Sequence, residues 1–369
     1  MSISHICHIT SAHRRYDIRI FVKECITLAK AGYMVSLIVA DDLGDEVKNG
    51  VAIYSVGKLE SRFNRMLKIP QQIYVKILEL QPDVVHFHDP ELLIIGYRLA
   101  KHGFKVVYDV HEDVPKQILS KYWIPKIIRP VVAKSIKILE KFCAKRFYGI
   151  VAATPIIAQR FKLCNLNTIS LCNYPLLSEL DMTYTTWDNR ENTLCYIGSI
   201  SQTRGIKPVV ASLAISRLPL MLAGIFSDDI NEKQLFKLNG SEYINYLGIL
   251  NREEIAKLLQ RVKIGLVTLF PTPSYVESLP IKLFEYMLAG IPVIASDFPL
   301  WREIITRYDC GILVNPHNPQ DIAAACQQLL NNQEQSMQMG ENGRLAVLDH
   351  FNWEQEQAKL LAFYITQKC

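Results

Sequence analysis

The sequence has no hydrophobic run long enough to cross a membrane. Nowhere in the chain do about 18 apolar residues follow one another, which is the minimum expected of a spanning helix. The opening residues MSISHICHITSAHRRYD also contain no apolar run of signal-peptide length. We therefore expect no transmembrane helix and a protein that stays in the cytoplasm, where it is made.

Paired cysteines are missing as well. The nine cysteines are scattered along the chain, are odd in number and include no C-x-x-C pair. This pattern argues against a disulfide framework and against a structural zinc site built from cysteines. We expect reduced thiols in a cytosolic protein.

The composition is that of a globular protein and excludes a disordered or fibrous chain. Charged residues make up 21% and hydrophobic residues 49% of the 369 residues, a length that suits two domains. Residues 1–176 carry 25 Lys/Arg against 15 Asp/Glu, whereas the remainder carries 16 against 21. Two halves of opposite sign indicate two domains with different electrostatic roles.

Short apolar runs alternate with helical patterns along the whole chain. HICHIT, MVSLIVA and KVVYDV are examples in the first half, and TLCYIGSI, KIGLVTLF and IPVIAS are examples in the second. Such alternation with glycine punctuation is typical of parallel sheets covered on both faces. The segment 177–191 lacks apolar periodicity and is the predicted linker, and residues 351–369 are predicted to form an amphipathic helix.

These patterns predict an α/β protein with two Rossmann-like domains, over residues 1–176 and 192–350. The terminal helix, 351–369, is expected to cross over and pack on the N-terminal domain. Because doubly wound sheets bind ligands outside the carboxyl ends of their strands, we expect the site in a deep cleft between the domains.

The segment ESLPIKLFEYMLAGIPVIAS carries the most chemical information. Glu277 lies before a predicted helix start and Glu285 a little over one turn into the helix. The free N–H groups of a helix N-terminus suit a diphosphate, and carboxylates accept hydrogen bonds from the hydroxyls of a ribose and a hexose. Spacing alone fits equally well a Glu277 that stabilises the helix dipole and a Glu285 that is merely solvated.

In its surroundings, this segment resembles the E-x7-E motif of the family 4 glycosyltransferases, which are retaining enzymes with the GT-B fold. The resemblance extends over nearly the whole chain and includes YIGSISQTRGI, YLGILNREEI and FNWEQEQAKLLAFY, and in the first half DIRIFVKECITLAKAGY, VVHFHDPELL and VVYDVHED. Each motif alone is moderately specific, whereas their order and spacing together are strong. The resemblance implies that the C-terminal domain binds a nucleotide-sugar donor and that the N-terminal domain faces the acceptor.

The resemblance also implies roles for single residues of the glutamate segment. Glu277 would hold hydroxyls of the donor sugar, and Glu285 would hold the ribose. The backbone amides near Ser278 and Leu279 would face the diphosphate.

A phosphate clamp is implied by the same resemblance. Arg204 occupies the place of the family's phosphate-binding basic residue, after the glycine turn at Gly198, although a solvated surface charge would look the same. The family usually has a second basic residue directly after that glycine, but Ser199 stands there in this chain. Lys282 and Arg19 are the candidates to replace the missing cation.

Three further residues are expected at the donor. Ile249 and Leu250 would border the nucleobase, unless they only pack their loop. His111 follows the strand KVVYDV at its carboxyl end, and the resemblance implies that it contacts the donor sugar. A strand-end histidine satisfied by its neighbours is the alternative.

Histidines and acids in the first half raise the question of a metal site. His86, His88, Asp89 and His111 are potential ligands, but they lack the i, i+4 histidine pair of helical zinc sites, and the sequence favours a structural role for His88. No D-x-D occurs in the chain, so the metal-bridged diphosphate of the other large glycosyltransferase fold has no evident anchor. We therefore expect transfer that needs no metal and no cofactor.

Two basic segments suit anionic partners. SAHRRYDIRIF fits a phosphorylated substrate or simple solvation, and it lacks the glycine pair that the family often has there. Residues 115–146 hold nine Lys/Arg and one acid among apolar and aromatic residues. Such a stretch suits an anionic membrane surface, at about 1 kcal/mol per Lys/Arg near it, and a solvated helix face is the alternative. Four residues are expected to face the membrane: Lys126, Arg129, Lys134 and Lys137.

Taken together, the sequence favours a retaining glycosyltransferase that is peripheral at the inner face of the cell membrane. Its expected substrates are a nucleoside-diphosphate sugar, with UDP as the first guess, and a lipid-linked glycan acceptor in bacterial surface-polysaccharide synthesis. Nothing resembles a nucleic-acid-binding motif. The alternatives are a nucleotide-sugar epimerase of the same fold, which would convert donor without acceptor, and a catalytically inactive membrane adaptor.

Overall fold

The computed structural model describes residues 3–58, 62–121, 123–180, 185–227 and 229–365. The chain divides into two units, the first made of Met1–Asn173 with Glu354–Cys369 and the second of Tyr174–Trp353. Residues 181–184 of the predicted linker and 366–369 of the predicted terminal helix lie outside the described residues.

An eight-stranded sheet forms the centre of the first unit. Its strands are β1 (His5–Ile9), β2 (Met34–Val39), β3 (Glu46–Lys48), β4 (Val51–Ser55), β5 (Val84–Phe87), β6 (Lys105–Val110), β7 (Gly149–Ala152) and β8 (Thr168–Ser170). They lie in the order β3-β4-β2-β1-β5-β6-β7-β8, and β3 runs antiparallel to β4 while the other pairs are parallel. The strand order reverses between β1 and β5, whose carboxyl ends mark the point where such sheets bind ligands.

Helices connect these strands, because parallel strands buried on both faces need crossover connections. A π-helix, Ile18–Cys25, follows β1 and continues into α1 (Ile26–Lys30). The other helices are α2 (Arg62–Leu80), α3 (Leu93–Lys101), α4 (Val114–Ser120), α5 (Arg129–Ala144) and α6 (Pro155–Lys162). The strands β1, β5, β6 and β7 contribute side chains such as Ile9, Phe87, Tyr108 and Ile150 to one core.

A six-stranded parallel sheet forms the second unit. Its strands are β9 (Glu191–Ile197), β10 (Leu220–Ala223), β11 (Ile244–Tyr246), β12 (Val262–Val267), β13 (Val293–Ser296) and β14 (Gly311–Val314). They lie in the order β11-β10-β9-β12-β13-β14, which is the strand order of the Rossmann fold. The ligand-binding position of this order lies at the carboxyl ends of β9 and β12.

Seven helices of the second unit and one terminal helix are described. They are α7 (Ile206–Ser216), α8 (Glu232–Leu235), α9 (Arg252–Arg261), α10 (Ile281–Leu288), α11 (Pro299–Tyr308), α12 (Pro319–Asn331), α13 (Gln333–Asp349) and α14 (Trp353–Ile365). From Glu354 onwards, α14 belongs to the first unit, where Glu356 accepts a hydrogen bond from the backbone N–H of Cys172. None of the described helices combines the length and the apolarity that crossing a bilayer requires.

The stretch predicted as a linker carries local structure of its own. Its described residues include two short 3-10 turns, Leu177–Leu180 and Trp187–Asn189, and its last residue begins β9. Trp187 is buried, and the Arg190 guanidinium donates to the backbone carbonyls of Leu259, Val262 and Ala289. Two large side chains, Trp187 and Arg190, hold this stretch to the rest of the second unit. Because only two positions are involved, the sequence shows no apolar periodicity there.

Candidate functional site

The loop after β9 lies at the carboxyl end of the first strand of the Rossmann order. Gly198 directly follows the strand and has φ +137°, and Gly205, with φ +75°, precedes α7. A Cβ on Gly205 would lie 2.0 Å from the backbone oxygen of Thr268, just after β12. Both the positive φ and this close approach require glycine, so the loop is held tightly against the neighbouring strand.

Arg204 lies in this loop and turns back over it. Its backbone N–H donates to Ser201 Oγ, and its carbonyl accepts from the Tyr196 hydroxyl. Its guanidinium lies 6.0 Å from the ring of Tyr275, and one of its nitrogens is 3.4 Å from where a Cβ on Gly198 would be. The structure thus brings together the predicted Gly198 and Arg204, and it adds Tyr275, which the sequence reasoning missed.

The glutamate segment enters α10 through a structured turn. The Ser278 hydroxyl donates to the Tyr275 carbonyl, and the Trp301 indole N–H donates to the Ser278 carbonyl at 2.7 Å. Glu277 and Leu279 are half-buried in the same turn. These bonds hold the backbone at the start of α10 in one conformation.

Glu285 is fully buried in α10 and is held by two cations. Arg252 Nη1 lies 2.7 Å from Oε1, and Lys282 Nζ lies 2.5 Å from Oε2. Burial opposes ionisation, but the two cations outweigh it and hold the pKa of Glu285 below its ordinary value. The alternative of a merely solvated Glu285 is therefore wrong, because its carboxylate has no exposure to water.

Arg252 is a further site residue that sequence reasoning missed. It is the first residue of α9 and directly follows Asn251, whose side chain caps this helix together with Glu254. The predicted base-side residues come just before it: Ile249 is 72% exposed and Leu250 is half-buried. The position of Arg252 in the motif YLGILNREEI, which resembles a family segment, is the feature of the sequence that could have identified it as a candidate.

In the first unit, His111 lies directly after β6 and is partly exposed. Its Nε2 lies 3.0 Å from Asp109 Oδ2 and 3.1 Å from His88 Nδ1. Asp109 is fully buried, and although burial opposes its ionisation, Arg19 and His111 hold its pKa well below the usual value. His111 is thus anchored from beneath by a charged carboxylate.

Arg19 is occupied inside the first unit. Its Nε and Nη2 donate to the two oxygens of Asp109 at 3.0 and 2.8 Å, and its Nη1 donates to the Leu171 carbonyl. Its Nε also lies 3.1 Å from Glu24 Oε1. A phosphate contact by Arg19 would have to break a buried two-point ion pair, which argues against the predicted role as the second phosphate cation.

The histidines of β1 and β5 form a buried cluster that the sequence reasoning only partly anticipated. His8, His86 and His88 pack ring against ring, with centroids 4.4 to 5.2 Å apart, and Glu24 of the π-helix joins them. Burial keeps these imidazoles neutral by lowering the pKa of His8 and His86 well below the ordinary value and that of His88 to about 4.

Of the four potential ligands named from the sequence, His86 and His88 belong to this cluster, and His111 lies beside His88 and Asp109, whereas Asp89 is not among these ligand atoms. Asp89 instead accepts hydrogen bonds from Thr10 and Ser11 after β1 and lies 2.9 Å from His13. The other two members of the cluster are His8 and Glu24. They come from β1 and the π-helix, and the spacing rule for helical zinc sites does not link these segments.

The basic stretch forms α4, α5 and their connection. Lys126, Lys134 and Lys137 are exposed, as are the apolar side chains of Ile127, Val131 and Ile138. Arg129 differs from the other three predicted membrane-facing residues, because its guanidinium donates to the carbonyls of Ile124 and Leu119. It stabilises the connection between the two helices.

Family models match both halves of the chain. Residues 22–168 match the model described as Glycosyltransferase Family 4, and residues 179–346 match the model described as Glycosyl transferases group 1. The two matches lie in successive parts of the chain and leave only short segments outside.

Relatives of known name agree with these matches. An MMP alpha-(1->4)-mannosyltransferase of Mycolicibacterium hassiacum is 23% identical over 76% of this chain and 70% of its own length. The O-antigen chain mannosyltransferase B of Escherichia coli is 26% identical over 43% of this chain and 42% of its own length. The structure of Anabaena HepE in complex with UDP-glucose superposes with a TM-score of 0.74, covering 98% of this chain and 99% of that one at 13% identity.

Proposed function

This chain belongs to the family 4 glycosyltransferases and has the GT-B fold, and from that premise we propose that it transfers a sugar from a nucleoside diphosphate to a glycan acceptor with retention at the anomeric carbon. In this proposal the second unit binds the donor. The donor residues are drawn from the loop after β9, the start of α9 and the glutamate segment.

The arrangement around Glu285 carries the proposal. Its two cations are partly exposed, at 28% for Arg252 and 20% for Lys282, whereas the carboxylate itself is closed off. Each carboxylate oxygen can accept more than one hydrogen bond. A donor that brings both a diphosphate and ribose hydroxyls can draw the cations to its phosphates while its hydroxyls replace them on Glu285.

This exchange supplies the cation that the family has after the glycine turn and this chain lacks. Lys282 is the second residue of α10, close to the helix start where the backbone amides near Ser278 and Leu279 would face the diphosphate. Together with Arg204, it would stabilise the negative charge that develops on the leaving group. Preorganised cations and helix N-termini are most effective when aimed at such developing charge.

The remaining donor contacts follow from exposure and position. Ile249 and Leu250 would cover the nucleobase. The Ile249 side chain is 72% exposed, and removing apolar surface from water lowers the free energy. Glu277 would hold hydroxyls of the sugar, and His111 would contact the sugar from the first unit. Asp109 fixes the orientation of that imidazole.

For the substrates, we propose a UDP-hexose and a lipid-linked glycan in bacterial surface-polysaccharide synthesis. The structural relative HepE was solved with UDP-glucose, and the named sequence relatives are mannosyltransferases, one of them acting on O-antigen chains. Glucose and mannose donors are therefore the first to try.

Donor binding is tested by thermal unfolding of the full chain with UDP-, GDP- and dTDP-sugars. A ligand at 100 times its Kd stabilises the folded state by about 2.7 kcal/mol. We expect one nucleotide class to raise the Tm, and the wild-type protein with an acceptor to form a product whose anomeric configuration matches the donor. If no donor raises the Tm and none is turned over, the proposal fails; conversion of the donor without acceptor indicates the epimerase.

We also propose that α4 and α5 bring the enzyme to the inner face of the membrane. Exposed lysines beside exposed Ile127 and Val131 combine attraction to anionic lipids with apolar insertion. Arg129 contributes by holding the two helices together while its guanidinium stays on the backbone.

Sedimentation with anionic vesicles tests the membrane surface. Changing Lys126, Lys134 and Lys137 to Glu removes about 1 kcal/mol of attraction per lysine, so binding should weaken by about 100-fold. The matched control changes Lys233, Lys237 and Lys257 of the second unit to Glu, which alters the net charge equally. Equal losses in both variants would mean that only net charge matters.

A further inference from the structure

Four buried side chains of the first unit direct donor atoms at one another. His8, Glu24, His86 and His88 are at most 2% exposed, and one atom from each lies within 4.8 Å of an atom from every other. Glu24 Oε2 lies 3.9 Å from His8 Nδ1 and 3.9 Å from His86 Nε2, and His8 Nδ1 lies 2.9 Å from His88 Nε2. Four ligands around a tetrahedral Zn²⁺ are about 3.3 Å apart, which falls within this range.

Hydrogen bonding leaves several of these atoms unsatisfied. Among the described residues, His8 Nε2, His86 Nε2 and both Glu24 oxygens are buried without a hydrogen bond, although Oε1 has Arg19 as an ion-pair partner. Buried polar atoms are nearly always bonded, and each exception costs about 1–3 kcal/mol. Of these atoms, His86 Nε2 and Glu24 Oε2 face the other ligands and have lone pairs that a cation satisfies, whereas His8 turns Nδ1, not Nε2, towards Glu24 and His88.

Charge points the same way. Arg19 is shared by two fully buried carboxylates, those of Glu24 and Asp109. A buried carboxylate needs a counter-charge or a proton. A proton on Glu24 would neutralise it and leave His8 Nδ1 and His88 Nε2 bonded to each other, but at 3.9 Å it would lie too far from His86 Nε2 for a hydrogen bond. A divalent cation serves the carboxylate and all three imidazoles.

The outward atoms of three ligands are already held, as they are in metal centres. His88 Nδ1 lies 3.1 Å from Asp109 Oδ2, and His86 Nδ1 lies 2.7 Å from the Tyr364 hydroxyl. Glu24 Oε1 faces Arg19. Such outer partners orient the ligands. The Asp109 carboxylate only accepts, so it selects the His88 tautomer that leaves Nε2 unprotonated, whereas the Tyr364 hydroxyl can accept from His86 or donate to it.

Local backbone geometry delivers the fourth ligand. Glu24 belongs to the π-helix Ile18–Cys25. Asp17 caps its N-terminus, since the Asp17 side chain accepts from the N–H groups of Arg19 and Ile20. π-helices are rare and are frequent at functional sites. This one turns two charged side chains of the cluster, Arg19 and Glu24, into the interior of the unit.

We propose that His8, Glu24, His86 and His88 bind one divalent transition-metal ion, for which Zn²⁺ is the best fit to three imidazoles and a carboxylate. All four positions are filled by protein, so the centre is structural: it ties β1, β5 and the π-helix together where the strand order reverses. The proposed ion is not assigned to the diphosphate, which we place in the second unit, so metal-independent transfer stays a prediction.

The test measures the metal content of the full chain after removal of any affinity tag. Wild-type protein is loaded with excess Zn²⁺, dialysed and analysed by inductively coupled plasma mass spectrometry. We expect about one Zn²⁺ per chain in the wild type and at least tenfold less in E24Q with H86Q. The control is H350Q, which removes an exposed histidine of the second unit and should keep the full content.

Replacement of Zn²⁺ by Co²⁺ gives a second readout that does not depend on the variants. The proposed centre should show visible d–d bands of tetrahedral Co²⁺ with no thiolate charge-transfer band, and chelation should lower the Tm. Less than about 0.1 metal per chain in loaded wild type overturns the proposal and leaves a proton on Glu24. A thiolate band, or full metal content in folded E24Q with H86Q, overturns it as well.

Discussion

The histidine cluster of the first unit and the Glu285 cluster of the second both bury a carboxylate, but they neutralise it differently. Glu24 shares one buried cation with Asp109, and the members of its cluster are almost completely closed to solvent. Glu285 has two cations of its own, and both of them reach solvent.

This difference bears on whether each carboxylate can change its hydrogen-bond partners when a substrate binds. A group with no exposed partner cannot pass its bonds to an incoming substrate without opening the core. In the proposed exchange the partners of Glu285 would move to the donor phosphates, a movement that their partial exposure to solvent allows. The exposure of the partners is thus the observation on which we propose a structural role for the buried carboxylate of the first unit and a donor-binding role for that of the second.

The largest expected effect comes from Glu285→Gln, which removes the exchangeable charge with little change of shape. Hydrogen bonds to a charged group contribute about 1.5–3 kcal/mol each, so the loss of two ribose contacts should lower kcat/KM at least about 100-fold. Steady-state donor turnover measures it, with the exposed Glu253→Gln as the control. Undiminished turnover in Glu285→Gln would refute the assignment of Glu285 to the donor. The Glu24 and Glu285 clusters would then not differ in function.

Arg204→Ala should reduce kcat by about 100-fold, because one preorganised donor at the leaving group is lost. Arg204→Lys should recover part of the rate, since the charge remains and the planar fork does not. The control is Arg261→Ala, which removes an exposed arginine paired with Glu191. A rate loss that appears equally in Arg261→Ala would place the effect in overall charge.

Gly205→Ala tests whether the donor unit depends on the tight loop before α7. A left-handed residue costs about 1–2 kcal/mol, and the contact with Thr268 adds a clash of similar size, so unfolding free energy should fall by about 3 kcal/mol. Gly248→Ala is the control, because its φ is +69° and no atom lies within 4 Å of its Cβ position. Denaturant unfolding should show a clearly smaller loss for the control, and equal losses would contradict the close approach.

The smallest expected effect is a change in thermal stability at acidic pH. Since the pKa of Glu285 is below its ordinary value in the folded state, its ionised form stabilises the protein above that ordinary value. This stability is lost as pH falls through the lowered pKa. The Tm difference between wild type and Glu285→Gln should therefore narrow below about pH 4.5, as thermal scans between pH 6 and 3 can measure. A constant difference would mean that the charge contributes nothing.

Local sequence patterns supplied most of the residues of the donor site that we propose in the second unit. The turn glycines, Arg204 and the glutamates lie close together along the chain, and their positions follow from one strand, one loop and one helix start. Arg252 and Tyr275 were missed because they reach the site from neighbouring elements, although both stand in or beside matched motifs.

The side-chain contacts of the first unit were harder to predict from the sequence. His8, Glu24, His86, Asp109 and Tyr364 come from five separate segments, and no spacing rule links them. Arg19 looked like a phosphate ligand because it stands in a basic loop, but the π-helix turns it inwards onto Asp109.

By itself, the sequence determined the α/β class, the two Rossmann-like halves, the family and the glutamate helix, because apolar periodicity, glycine turns and helix starts are encoded over a few neighbouring residues. Tertiary structure decided which charges pair, which histidines meet and which carboxylate keeps partners that water can reach. Those outcomes depend on strand order and on burial, and both are set by contacts between residues far apart in the chain.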